Sequence, residues 1–96
     1  MGQNKEEIIA LLKDPNVLTN DQIMEVFFKI GHLGDIFLLK NDGAREKHVY
    51  TVVISSSKGA FDSIRFDGDD LDVIVRKALN EYVKTYRPGR LSAPAE

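Results

Sequence analysis

The hydrophobic pattern of the chain changes its period twice, and this most constrains the fold. In the N-terminal part, apolar residues recur every three or four positions, as Ile8, Leu11 and Leu12 do, which is the period of a helix. After Gly34 they recur with a period near two, which is typical of strands. From Asp70 the helical period returns. The sequence therefore predicts helices, then a sheet, then a helix.

The two N-terminal helices have recognisable first and last residues. Residues 4–7 and 19–22 both match the capping box, in which a polar side chain accepts a backbone N–H and a Glu or Gln reaches back. Pro15 disfavours helical backbone before it, so the first helix should end near Lys13. Gly31 is the expected left-handed stop of the second helix.

Three strands are predicted at residues 35–40, 47–55 and 60–66. The Asp-Gly pair at residues 42–43 favours a hairpin between the first two strands, and residues 56–59 form a second turn. A final helix is predicted over residues 70–86.

The predicted fold is α+β. It has two N-terminal helices, a three-stranded antiparallel meander and a C-terminal helix packed on the sheet. The chain of 96 residues is short enough for one domain. We expect that domain to span residues 1–87 and a mobile C-terminal tail to span residues 88–96, which lack a periodic pattern.

Composition excludes several classes of function. The chain has no cysteine, which rules out disulfides, thiolate catalysis and cysteine-bound metal sites. With 13 basic and 15 acidic residues the net charge is -2, too small to attract nucleic acid or an anionic membrane at long range. No apolar run is long enough for a signal peptide or a membrane span, so a cytoplasmic location without membrane contact is expected.

The densest charge cluster, at residues 67–72, resembles the start of a calcium-binding loop. The EF-hand pattern requires Gly at position six and Glu at position twelve, where this chain has Asp72 and Ala78. The cluster is instead interpreted as a helix start, with Asp69 as the cap and Asp70 and Asp72 beside the positive end of the helix. No metal site or cofactor is expected.

Catalytic motifs are also weak. Ser55 and Lys58 have the spacing of an S-x-x-K motif, but they lie in a predicted turn and the companion motifs are absent. His32 and His48 belong to different elements and lack metal-ligand spacing. The sequence therefore predicts no catalytic residues and no enzymatic activity, and a small hydrolase or ligand-binding protein is only the third-ranked alternative.

The central strand has apolar residues in both alternating sets. Tyr50, Val52 and Ile54 point to one face of the sheet, and the set Val49, Thr51 and Val53 points to the other. Either the first helix covers this second face, or the face binds another protein or a second copy of the chain. The leading hypothesis is therefore a small protein-protein interaction module, binding through Val49, Thr51 and Val53 or through the sheet edge.

A competing hypothesis is nucleic-acid binding through the first hairpin. Lys40, Arg45 and Lys47 gather there as candidate phosphate contacts. Asp42 and Glu46 interrupt them, whereas nucleic-acid surfaces usually have unbroken basic stripes.

From residue 21 to residue 86 the order of helix, three strands and helix resembles double-stranded-RNA-binding domains. The loop from Asn41 to His48 stands where that family has a Gly- and His-containing loop. The resemblance implies the fold. The family has lysines at the start of its last helix, whereas this chain has Asp69, Asp70 and Asp72 there, and carboxylates would repel RNA phosphates.

Overall fold

The computed structural model describes residues 2–85 and has the predicted α+β architecture. The elements are α1 (Gly2–Lys13), α2 (Asn20–His32), β1 (Asp35–Asn41), β2 (Tyr50–Ser56), β3 (Ile64–Gly68) and α3 (Leu71–Val83). The expected mobile tail at residues 88–96 lies outside the described residues. The last helix was predicted to run to Tyr86, but it ends at Val83, where Lys84 is its C-cap residue.

The three strands form an antiparallel meander in the order β1-β2-β3. Leu38 of β1 lies opposite Val53 of β2, which in turn lies opposite Arg65 of β3. Two helices pack on one face of this sheet, α2 against β1 and α3 against β2 and β3. The core lies between them and includes the fully buried residues Val52, Ile54, Val26, Val75 and Leu79.

The first helix packs against α2 and α3. Ile8 is its fully buried contribution to the core. Arg76 of α3 fixes the end of α1, because its guanidinium donates to the backbone oxygens of Leu12 at 3.2 Å and Asn16 at 2.6 Å. One of the two arrangements expected from the sequence, in which the first helix covers the second face of the sheet, is therefore wrong, because α1 packs on the two helices that lie on the other face. The second face, which we call the open face, leaves Ile36 and Leu38 exposed.

Several element boundaries differ from the predicted ones. α1 begins at Gly2, so Asn4 lies inside the helix and is not its cap. β2 begins at Tyr50 because His48 has φ 56, and a positive φ does not continue a strand. β3 begins at Ile64 because the preceding turn is longer than expected, with Gly59 at φ 71 and Ser56 Oγ accepting the N–H of Ala60 at 2.8 Å.

The second helix starts as predicted and ends later. Thr19 Oγ1 accepts the N–H of Gln22 at 3.1 Å, and Gln22 Oε1 accepts the N–H of Thr19 at 2.9 Å, which confirms the capping box. Gly31 lies inside the helix, so its predicted role as the stop is wrong. The left-handed residue is Gly34, at φ 89, after the last helical hydrogen bonds have been made by Leu33.

Alanine at these two glycines should have opposite effects. Gly34→Ala is expected to lower the free energy of unfolding by about 1 kcal/mol or more, because a side chain disfavours positive φ. Gly31→Ala is expected to raise it by about 0.5 to 1 kcal/mol, since no atom lies within 4 Å of the added methyl group and Ala favours helix. Urea denaturation measures the free energy of unfolding of both variants. Equal effects would contradict the assignment of the stop to Gly34.

Candidate interaction surface

Exposed apolar side chains concentrate on two neighbouring elements. Among residues 2–85, six of the eight exposed large apolar side chains lie on α2 or β1, and the other two are Val17 and Val73. These six lie on the edge strand β1 and on the helix packed against it, with Ile36 and Leu38 on the face of the sheet opposite the helix, and we call the set the apolar edge. Its members are Met24, Phe27, Phe28, Ile36, Leu38 and Leu39.

The first strand presents apolar side chains on both faces of the sheet. Ile36 and Leu38 lie on the open face and are 42% and 57% exposed. Phe37 points to the helical face and is buried, whereas Leu39 on that same face is partly open to solvent. β1 has only β2 as a strand neighbour in the described part of the chain, so it is an edge strand.

Aromatic contacts hold the helix against this strand. The ring of Phe27 packs edge-on against Phe37 at a centroid distance of 5.8 Å and against Phe28 at 5.4 Å. Such pairs stabilise by about 0.5 to 1.5 kcal/mol beyond the area they bury. Phe28 nevertheless remains 57% exposed. The helical half of the apolar edge is therefore held in place and still accessible.

The residues predicted for partner binding lie beside this region. Thr51 is only 5% exposed, Val53 is half-buried, and Val49 is half-buried just before β2. Their role in binding stays a prediction. Sequence reasoning missed Ile36 and Leu38, which are the exposed apolar residues of the open face. Their alternation and the meander order of the strands were predicted, but their exposure depends on α1 packing on the other helices and not on this face.

A charged cluster borders the apolar part of the open face and is centred on Asp67. The hydroxyl of Thr51 donates to Asp67 Oδ1. Arg65 Nε lies 3.3 Å from Asp67 Oδ2, and Arg45 Nη1 lies 3.6 Å from Asp67 Oδ1. The hydrogen bond from Thr51, followed by the hydrogen bond and charge of Arg65, lowers the pKa of the Asp67 carboxyl below its ordinary value.

This lowered pKa gives a pH prediction. A carboxyl with a lowered folded-state pKa stabilises the fold above its unfolded value of 3.8, and the contribution is lost as the pH falls further through the folded pKa. Thr51→Val removes the donor at similar volume and should move the Asp67 pKa upward, which NMR titration of the carboxyl would measure. An unchanged titration midpoint would contradict the role given to Thr51.

The predicted phosphate contacts are only partly brought together. Lys40 Nζ and Arg45 Nε lie 3.6 Å and 3.4 Å from the same oxygen of Asp42. Arg45 also donates to the backbone oxygen of His48 at 3.0 Å. Lys47 is exposed and belongs to none of the ion pairs formed by residues 2–85. Lys40 and Arg45 are thus partly neutralised by carboxylates.

The structure gives Asp69 a role different from the predicted helix cap. Asp70 is the cap residue of α3, and its side chain makes no capping hydrogen bond. The carboxylate of Asp69 instead accepts the backbone N–H of His48 at 2.7 Å and of Val49 at 3.4 Å. It therefore ties the hairpin loop to the start of α3 and supports the positive φ of His48.

Other candidate sites are weak in the described part of the chain. No group of three or more His, Asp or Glu side chains within residues 2–85 is placed to hold a metal ion. A cleft between α1 and α2 has a volume of about 300 Å³. Its charged lining residues already pair with one another, since Lys29 Nζ lies 3.3 Å from Glu7 and 3.2 Å from Glu25. No helix among these residues has the length and apolar character needed to cross a membrane.

Comparison with known proteins gives no relative: no family model, curated protein or solved structure matches the chain.

Proposed function

We propose that this chain is a non-enzymatic protein-interaction module that binds its partner through the apolar edge. The supporting observation is the clustering of exposed apolar side chains on an edge strand and on the helix beside it. Contiguous exposed apolar surface is unusual on a monomer and marks interaction sites. Covering it contributes about 25 cal/mol per Å² of apolar area removed from water.

The edge strand adds a second source of affinity. An edge strand carries backbone N–H and C=O groups that can pair with an additional strand, and side chains on either face then select the partner. The opposite edge differs in length and side chains: β3 has five residues against seven in β1, and its open-face side chains include the ion-paired Arg65 and Asp67, where β1 has Ile36 and Leu38. Charged, short edge strands resist pairing. β1 is therefore the edge suited to binding.

Nucleic-acid binding through Lys40, Arg45 and Lys47 is the competing hypothesis. Asp42 and Asp67 lie within 4 Å of Lys40 or Arg45, and these carboxylates oppose phosphate binding. Mixed RNA and DNA titrated at low salt, where electrostatic affinity is greatest, separates the two hypotheses. Binding that weakens steeply with salt and is lost in Lys47→Ala would favour the competing one.

Charge substitutions on the apolar edge test the proposal. Leu38→Lys and Phe28→Lys each place a cation on one half of the surface, and Val17→Lys makes the same change at a separate position that is 69% exposed. When each variant is used to capture proteins from the native cell, Leu38→Lys and Phe28→Lys should both lose the proteins that the wild-type chain captures. Val17→Lys should still capture them. Identical capture by all three variants and the wild-type chain would overturn the proposal.

A further inference from the structure

We infer that the partner is a second copy of this chain, whose β1 pairs antiparallel with β1 of the first. The two meanders would join into one sheet of six strands, three from each copy. This inference rests on the proposed function and names its partner. It follows from the hydrogen-bonding direction of β1, from its length and from the side chains on its two faces.

The backbone of β1 offers hydrogen bonds on the side away from β2. Asp42, just beyond the strand and in the same register, donates its N–H to Val49 at 2.7 Å. Since hydrogen-bonding groups alternate along an antiparallel strand, Lys40 and Leu38 also bond towards β2. The N–H and C=O groups of Phe37 and Leu39 therefore point outward, where no strand of residues 2–85 lies.

One register satisfies these outward groups with two-fold symmetry. Two copies of a strand paired antiparallel about a two-fold axis place one residue opposite itself. β1 has seven residues with Leu38 at the midpoint, so an axis at Leu38 pairs all seven. Phe37 then faces Leu39 of the second copy, which joins the outward groups in reciprocal hydrogen bonds. An axis at Phe37 or Leu39 would leave strand residues unpaired.

The side chains in this register are mutually compatible. Leu38, 57% exposed in one copy, would meet Leu38 of the second copy in a close, non-hydrogen-bonded pair. Ile36 would lie opposite Lys40 of the second copy and pack against its aliphatic stem. Asp35 would lie opposite Asn41 of the second copy. No like charges are placed directly opposite each other, which favours this arrangement.

The helices support the same assembly. A two-fold axis perpendicular to the sheet keeps the helical faces of both copies on one side. Because α2 packs against β1, the two α2 helices would flank the junction. Met24, Phe27 and Phe28 are the exposed apolar side chains of that helix, and burial at the junction would remove part of their surface from water.

Solution mass across a range of concentrations tests the second-copy inference. We expect the wild-type chain to approach twice its monomer mass of 10.8 kDa as concentration rises from micromolar to millimolar. Leu38→Lys should remain monomeric because two cations would lie opposite each other at the axis. Val17→Lys, with the same charge change, should associate as the wild-type chain does. Circular dichroism of each variant verifies the fold.

Single cysteines test the register directly, because the chain has none of its own. Leu38→Cys places two thiols opposite each other, where Cα atoms about 4.5 Å apart fall within disulfide range. Ile36→Cys on the same exposed face separates the two cysteines by about four residue spacings, or about 13 Å. Oxidation should cross-link Leu38→Cys into a covalent dimer and leave Ile36→Cys as monomer.

Two outcomes would overturn this inference: a wild-type chain that stays monomeric at millimolar concentration, or equal cross-linking of both cysteine variants. If the chain is monomeric but still loses a captured protein on Leu38→Lys, the proposed function stands and its partner is a different protein. If neither self-association nor capture depends on Leu38 or Phe28, the proposed function fails as well.

Discussion

Replacing Tyr82 with alanine is expected to lower the free energy of unfolding by about 3 to 5 kcal/mol, the range for truncating a large buried aromatic residue. Tyr82 is 0% exposed, and its ring packs edge-on against Phe61 at a centroid distance of 5.8 Å. Tyr82 lies in the last turn of α3 with its side chain inside the core, so its truncation leaves a cavity that neighbouring elements cannot fill without moving. Urea denaturation measures the loss.

Tyr82→Phe separates the packing of the ring from its hydrogen bond. The hydroxyl donates to Asp35 Oδ2 at 2.6 Å in a buried setting, joining α3 to the first residue of β1. Removing that donor while keeping the ring should lower the free energy of unfolding by about 1 to 3 kcal/mol. The matched control is Tyr50→Phe at a half-buried position on β2, where a smaller loss is expected. If Tyr82→Phe and Tyr50→Phe lost equal free energy of unfolding, the hydrogen bond from Tyr82 to Asp35 would not contribute more than an ordinary tyrosine hydroxyl.

Gly68→Ala is the second large effect, with an expected loss of about 1 to 3 kcal/mol from overpacking. A Cβ on Gly68 would lie 2.6 Å from Cγ2 of Ile74, much closer than such atoms approach. Ile74 is buried, and its branched side chain has little rotamer freedom in a helix, so it cannot swing away. The clash would push the end of β3 away from the start of α3.

A double-mutant cycle identifies the cause of that loss. Ile74→Ala removes the clashing methyl group, so adding Gly68→Ala to this background should cost much less than in the wild-type chain. Gly43→Ala is the control, since nothing lies within 4 Å of its added methyl group. A full loss in both backgrounds would show that backbone conformation, not contact with Ile74, explains the need for glycine.

Local features of the fold were predictable where neighbouring residues decide them. The capping box at Thr19 and Gln22 closes as expected because both partners lie within one turn. Asp69 was misassigned because its partners, the backbone N–H groups of His48 and Val49, are about 20 positions away along the chain. The stop of α2 was misplaced for a similar reason. Gly31 and Gly34 could both end a helix, and the packing of Leu33 against the core, which is a tertiary contact, decides between them.

The candidate surface likewise has features that local sequence determined and features that only tertiary packing determined. Alternating apolar residues along the sequence determined that strands follow the second helix and that both faces of the sheet would carry apolar side chains. The predicted meander order already placed β1 at an edge of the sheet. Only the tertiary structure decided that α1 packs on the other helices and that Ile36 and Leu38 remain exposed. The physical reason is that periodicity reports which side of an element is apolar, whereas burial depends on which distant element packs against that side.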